Sequence, residues 1–360
     1  FTNCSSITNL DLTSFKAINV EKAQGMFENC IKLTNIKFEN FNGNKISNLS
    51  YMFNNCSSLS KLNISSISLL NADDLSFMFS NCTKMSSLTL FNKLGTNLLK
   101  MNSMFYNCYK LGTLNFNSFQ TINVENTEKM FYSCSNLKTL SLKNFKTSST
   151  SNMGKMFTNC SLLKTLDISS FDTSNVTNFD SMFENCAALI SLNIKNFDTS
   201  NATKMNAMFH NCRTISTLDL SLFDTSKATN FSHMFANCSN LNLLNIDNFI
   251  TSEVTSMDSM FYNCSKLINL NIKTFNTINV IDMSNMFLNC KNVKELNVSY
   301  FDTFQVTSMI SMFEKCSSLN ILNLSIINTS NVNNMAHMFS ECSSLTYVNI
   351  GNFNTSQVVN

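Results

Sequence analysis

The stretch FDTSNVTNFDSMFENCAALISLNIKN, Phe171 to Asn196, is followed at once by FDTSNATKMNAMFHNCRTISTLDLSL, residues 197–222, the same phrase 26 residues on. In both directions from there the period holds without a slip. Fourteen cysteines mark it, from Cys4, Cys30 and Cys56 to Cys316 and Cys342, each 26 residues after the last. A Met-Phe pair precedes every cysteine from Met26-Phe27 to Met338-Phe339. After the cysteine come three apolar positions, as in Leu163, Leu166 and Ile168, and then a Phe in most units, as at Phe119, Phe145, Phe171, Phe197 and Phe223.

Each unit contains two hydrophobic periods. Leu166-Asp167-Ile168 alternates apolar and polar, the signature of a short strand with side chains pointing in and out by turns. VTNFDSMF places Val176, Phe179, Met182 and Phe183 three and four residues apart, which predicts a short helix with one apolar face. Thr177 would be its N-cap, Asp180 the partner in a capping box, and Asn185 the left-handed residue that ends it. FDTSN, between strand and helix, is turn chemistry, because Asp, Thr, Ser and Asn bond their own backbone. Proline is absent from all 360 residues, as a ladder between stacked repeats requires. A unit this small cannot bury its apolar side alone, so the units must stack on one another. The organisation expected is one repeat array over residues 1–360, about 14 turns and roughly 65 Å long at strand spacing. It starts and stops within a repeat, so it reads as a fragment of a longer array.

LISLNIKNFDTSNATKMNAMFHNC, with its joint spacing of Leu, Phe, Met-Phe and Cys, resembles the 26-residue repeat of bacterial surface proteins grouped as BspA-like leucine-rich repeats. The resemblance covers essentially the whole chain. It implies an α/β, leucine-rich-repeat-like solenoid, each turn a short strand plus a short helix, in a secreted or surface-displayed protein used in adhesion. Two units depart from the pattern. Ile67 and Lys93 stand where others have Phe, and SLLNAD and LGTNLL replace TSNVT, which leaves no regular turn expected over 68–73 and 94–99.

Net charge is +2, with 13% charged residues, which argues against a nucleic-acid partner. No apolar run approaches the ~18 residues of a membrane span, so this segment is not expected to insert. The N-terminal residues FTNCSSITNLDL lack the basic start and apolar block of a signal peptide. The cysteines are one per repeat, without the paired spacing of a metal site. Stacking would hold their Cβ atoms near ~4.8 Å, beyond the usual disulfide range, so buried free thiols are expected ahead of a disulfide staircase. The Asn before each cysteine should form a hydrogen-bonded ladder, and the sequons it creates, such as Asn55-Cys56-Ser57, would be inaccessible. Three histidines, His210, His233 and His337, show no repeated acid or nucleophile beside them, so no catalytic residue, metal or cofactor is expected. Asp172, Asp198 and Asp224 fall in successive repeats, but Lys146 and Ile250 interrupt the row on either side, which leaves too few oxygens for calcium.

The expected binding face is the outward side of the strands: Thr165, Asp167, Ser169, Ser191, Asn193, Lys195, Thr217, Asp219 and Ser221. It is polar and weakly charged, and Leu243, Ile321 and Tyr347 are its apolar interruptions. Such a face suits weak contacts multiplied by repetition, to a protein or matrix ligand. The sequence therefore reads as a non-enzymatic scaffold at the cell surface, acting in adhesion or protein interaction. The alternative is a structural filament or stalk whose open strand edges associate end to end.

Overall fold

The alternating Leu-x-Ile signal folds as expected, into strands of three residues. In the computed structural model, which describes residues 1–38, 41 and 43–359, these are β1 (Asn9–Asp11), β2 (Asn35–Lys37), β3 (Lys61–Asn63), β5 (Ser87–Thr89), β7 (Thr113–Asn115), β8 (Thr139–Ser141), β9 (Thr165–Asp167), β10 (Ser191–Asn193), β11 (Thr217–Asp219), β12 (Leu243–Asn245), β13 (Ile321–Asn323) and β14 (Tyr347–Asn349). They pair in parallel, two by two, with the register set by the period: Leu166 faces Leu192, and Leu218 faces Leu244. The chain divides into two compact units, Phe1–Val176 with Asn185–Asn196, and Thr177–Glu184 with Phe197–Asn360. Each unit is a β-solenoid stack of 26-residue coils, about 13 coils for the two together. Asn360, where the sequence stops, lies outside the described residues.

The predicted helix is replaced by something else: no helix occurs among the described residues. Val176, Phe179, Met182 and Phe183 are all fully buried, so the apolar set is as expected, but the backbone that presents it is not helical. In the second unit the N–H groups of Phe179, Ser181 and Phe183 donate to Lys204, Asn206 and Met208 of the following coil, at 2.9 Å each. Between them, Met182 and Glu184 donate within the coil to Phe179 and Ser181, at 3.1 Å. Alternate residues thus serve the neighbouring coil and a tight turn. A helix would direct all of these donors inward and leave the neighbour's carbonyls unpaired. The device that produces the alternation is a pair of left-handed residues four positions apart, Ser181 at φ 51° and Asn185 at φ 58°. Thr177 and Asp180 therefore cap no helix, whereas Asn185 takes the predicted conformation for a different purpose. The same pattern recurs in the first unit, where Ala23, Gly25, Phe27 and Asn29 donate to Asn48, Ser50, Met52 and Asn54.

Behind this turn ladder runs a file of phenylalanines with rings stacked at 5.3–5.8 Å from Phe27 to Phe157 in the first unit. A second file runs from Phe183 to Phe339 in the second unit, at 5.6–5.9 Å. Beside it, each cysteine thiol from Cys30 onward donates to a carbonyl one coil back, as from Cys56 Sγ to Phe27 O at 3.1 Å and from Cys238 Sγ to Phe209 O at 3.1 Å. All fourteen cysteines are free thiols, and all but Cys4 and Cys342 are buried. Burial pushes the thiols of Cys56, Cys108, Cys186, Cys238 and Cys290 up to about 12.

The Thr at the position of the FDTSN threonine is also more than a turn residue. Thr251 is buried, and its hydroxyl donates to Asn276 O at 2.7 Å while accepting from Asn276 N at 2.8 Å. Thr147 does the same with Asp172, and Thr225 with Ile250. In the coils that carry this Thr, its hydroxyl therefore stands in for a pair of backbone hydrogen bonds at the corner.

The two irregular repeats carry an added strand pair, β4 (Ser68–Leu69) with β6 (Lys93–Leu94), where no regular turn was expected. Phe91 supplies the aromatic missing at Lys93, its ring 6.4 Å from Phe119. Gly95 donates to Leu69 O at 3.0 Å, and a Cβ on it would lie 1.8 Å from the carbonyl oxygen of Leu70, so only glycine fits.

Candidate functional site

The strand face has two consequences of its tripeptide strands. The middle residue points in, and the flanking residues stand outside, so Thr165, Asp167, Ser191, Asn193, Thr217 and Asp219 are exposed, as are Ser169 and Lys195. Ser221 is half-buried. In the first unit Thr165 lies opposite Ser191 and Asp167 opposite Asn193, so six of the predicted residues form one surface. Thr217, Asp219 and Ser221 belong to the second unit, where Thr217 lies opposite the exposed Leu243 and Asp219 opposite Asn245.

The residue ending each strand has a local task that spacing alone concealed. Asp167 Oδ1 accepts from the Ser169 hydroxyl at 2.7 Å and from its N–H at 3.1 Å, and these bonds hold the carboxyl below its usual range. Asn193 accepts from Lys195 N at 3.4 Å, and Asp219 from Ser221 N at 3.2 Å. These side chains turn the chain out of the strand.

Because the strands pair two by two, shallow clefts open between pairs. One of about 350 Å³ lies between β2 and β3 and is lined by Asn35, Lys37, Lys61 and Asn63. In the second unit a cleft of about 470 Å³ is lined by Glu295, Asn297, Ser299, Ile321 and Asn323.

The turn face corrects the expectation for histidine. His210 Nδ1 is 3.2 Å from Glu184, and His233 Nε2 is 3.2 Å from Asp258, with the two imidazoles 5.8 Å apart. The acids sit one coil away, 26 and 25 residues distant, so the linear sequence around each His gives no sign of them. The hydrogen bond that His233 donates to Asp258 raises the His233 pKa against the opposing effect of burial. Burial drives Asp258 upward, and the bonds from His233 and Ser259 outweigh it, leaving its pKa lowered. Among the described residues no three His, Cys, Asp or Glu converge on a point that could hold a metal ion. Asp198 caps the N–H and hydroxyl of Ser200, which lowers its pKa. The Asn ladder forms as expected, for example from Asn55 Nδ2 to Asn29 Oδ1 and from Asn263 Nδ2 to Asn237 Oδ1, both at 2.9 Å.

No helix of the described residues is long and apolar enough to cross a membrane. Among solved structures, the chain is similar to a leucine-rich repeat protein from Bacteroides ovatus, with 14% identity over 96% of this chain and 85% of that one and a TM-score of 0.50. It is also similar to a leucine-rich repeat protein from Eubacterium ventriosum, with 15% identity, coverage of 95% and 90%, and a TM-score of 0.39. A leucine-rich cell surface protein from Faecalibacterium prausnitzii gives 14% identity, coverage of 99% and 75%, and a TM-score of 0.36. The first of these supports a leucine-rich-repeat type of fold. No curated protein matches the sequence. Four overlapping segments, residues 1–113, 99–217, 188–297 and 264–360, match one family along the full length, and the chain belongs to it: the family described as "Mycoplasma protein of unknown function, DUF285".

Proposed function

We propose that the protein is a non-enzymatic repeat scaffold displayed at the cell surface, where its strand face makes adhesive contacts with a protein or matrix ligand. The observation that carries this reading is the recurrence of one exposed polar row, Thr165 opposite Ser191 and Thr113 opposite Thr139, at a fixed coil spacing. A ligand contacting one coil finds the same groups on the next, so weak contacts sum to avidity. Placement outside the cell rests on the resemblance of the repeat to BspA-like surface repeats. In this reading residues 1–360 act as one array, since the period runs through the sequence unbroken.

The test is a plate assay against immobilised fibronectin, laminin and collagen, using the full chain and a variant with Thr113, Thr139, Thr165 and Ser191 each changed to Glu. Saturable binding that the variant loses supports the proposal. Binding to none of the three, or equal binding by the variant, counts against it.

A further inference from the structure

The total charge of +2 conceals a division between the units. The first unit holds 17 lysines against 10 Asp and Glu, and the second 8 Lys and Arg against 13 acids. Within the first unit the lysines are not evenly spread. The loop between each cysteine and the following strand carries Lys32, Lys84, Lys110, Lys138 and Lys164, all exposed. The equivalent loops, residues 5–8, 31–34, 57–60, 83–86, 109–112, 135–138, 161–164 and 187–190, contain no Asp or Glu. None of the five lysines has an ion-pair partner among the described residues.

The stack brings these loops to one edge. Thr34 N donates to Thr8 O at 2.9 Å, Ser86 N to Ser60 O at 2.8 Å, Lys138 N to Gly112 O at 2.9 Å and Ile190 N to Lys164 O at 2.9 Å. At strand spacing the five ammonium groups fall within roughly 24 Å of edge, and their fields overlap within a Debye length of about 8–10 Å. The same loops expose apolar side chains: Ile31 at 38%, Tyr109 at 41%, Leu162 at 43% and Ile190 at 59%.

We propose that this edge of the first unit lies on an anionic lipid surface. A soluble polyanion would engage the lysines and gain nothing from Ile31, Leu162 and Ile190. A bilayer accepts both, the apolar tips entering the boundary between headgroups and acyl chains while the ammonium groups pair with lipid phosphates and carboxylates. The contact is interfacial and requires no spanning segment. It does not depend on the adhesive role of the strand face.

Co-sedimentation of the full chain with vesicles tests it. The expected result is binding to phosphatidylcholine containing about 30% phosphatidylserine, no binding to phosphatidylcholine alone, and release at about 0.5 M salt. Each lysine near the surface is worth about fivefold in partition, so changing Lys32, Lys84, Lys110, Lys138 and Lys164 together to Gln lowers it by at least about a hundredfold. Changing five exposed lysines elsewhere on the unit, Lys16, Lys22, Lys45, Lys100 and Lys146, to Gln removes the same charge and leaves most of the binding. Replacing Ile31, Leu162 and Ile190 with Ser weakens it several-fold. The proposal is overturned by indifference to anionic vesicles, by equal binding to neutral ones, by equal loss in the two lysine variants, or by an apolar variant that binds like the parent, which is how a receptor for soluble polyanions would behave.

Discussion

Replacing Thr251 with Val separates hydrogen bonding from packing in the corner column. Valine keeps the shape and exchanges the hydroxyl for a methyl, so a purely apolar site would tolerate it or gain about 0.8 kcal/mol. Here the hydroxyl makes two bonds, to the carbonyl and the N–H of Asn276 at 2.7 and 2.8 Å. Losing both leaves two backbone groups unpaired, at about 1–3 kcal/mol each when fully buried. Asn276 is itself exposed, so water recovers part of this, and the net loss is about 2 kcal/mol. Thr251→Ser keeps both bonds and gives up a methyl, at about 1 kcal/mol. The expected order of stability is therefore Thr above Ser above Val. A stacked array need not unfold in one step, so urea melts followed by far-UV circular dichroism are best joined to amide exchange at Asn276. Exchange there should accelerate about thirtyfold in the Val variant. If Thr251→Val is as stable as the parent and Asn276 exchanges no faster, the column is a packing feature and its assigned role is wrong.

The remaining predictions concern other parts of the stack. Thiols raised from 9.0 to about 12 in the fold stabilise it fully below pH 9, and that contribution is lost as pH rises towards 12. Each such thiol withdraws about 1.4 kcal/mol per pH unit in that window, so urea midpoints should fall steeply above pH 9, and less steeply in a Cys238→Ala variant. Gly95→Ala should open the β4–β6 pair, at a cost of about 3 kcal/mol or more, seen as new proteolytic cleavage within 68–99 while more distant coils stay protected. The His233 imidazole should titrate above 6.5 by NMR and return towards it in Asp258→Asn; any stabilisation from the pair is present below pH 6.5 and fades as pH rises through the raised value.

The period, the strands and the buried set were legible because each follows from local spacing. Val176, Phe179, Met182 and Phe183 are inside whichever backbone carries them, which is why they pointed equally well to a helix that does not form. What decides between the two is the destination of the Ser181 N–H, 25 residues away at Asn206, and the left-handed φ of Ser181, a residue type that gives no hint of it. Thr251 looked like a turn residue for the same reason, its partner being one coil distant. The exposed strand residues were found, but the turn-making bonds of Asp167 and Asp219 were not, because an Asx turn and an open carboxylate look alike in a list of letters. Adding charge over the whole chain hid its division between the two units.

The turn ladder is bonded coil to coil, whereas the strand ladder pairs only two by two. Each unit thus has a spine and a fringe. Like the leaves of a book held at the binding, the strand rows can spread while the spine keeps its pitch. A surface built this way can match a target whose own spacing differs from that of a sheet.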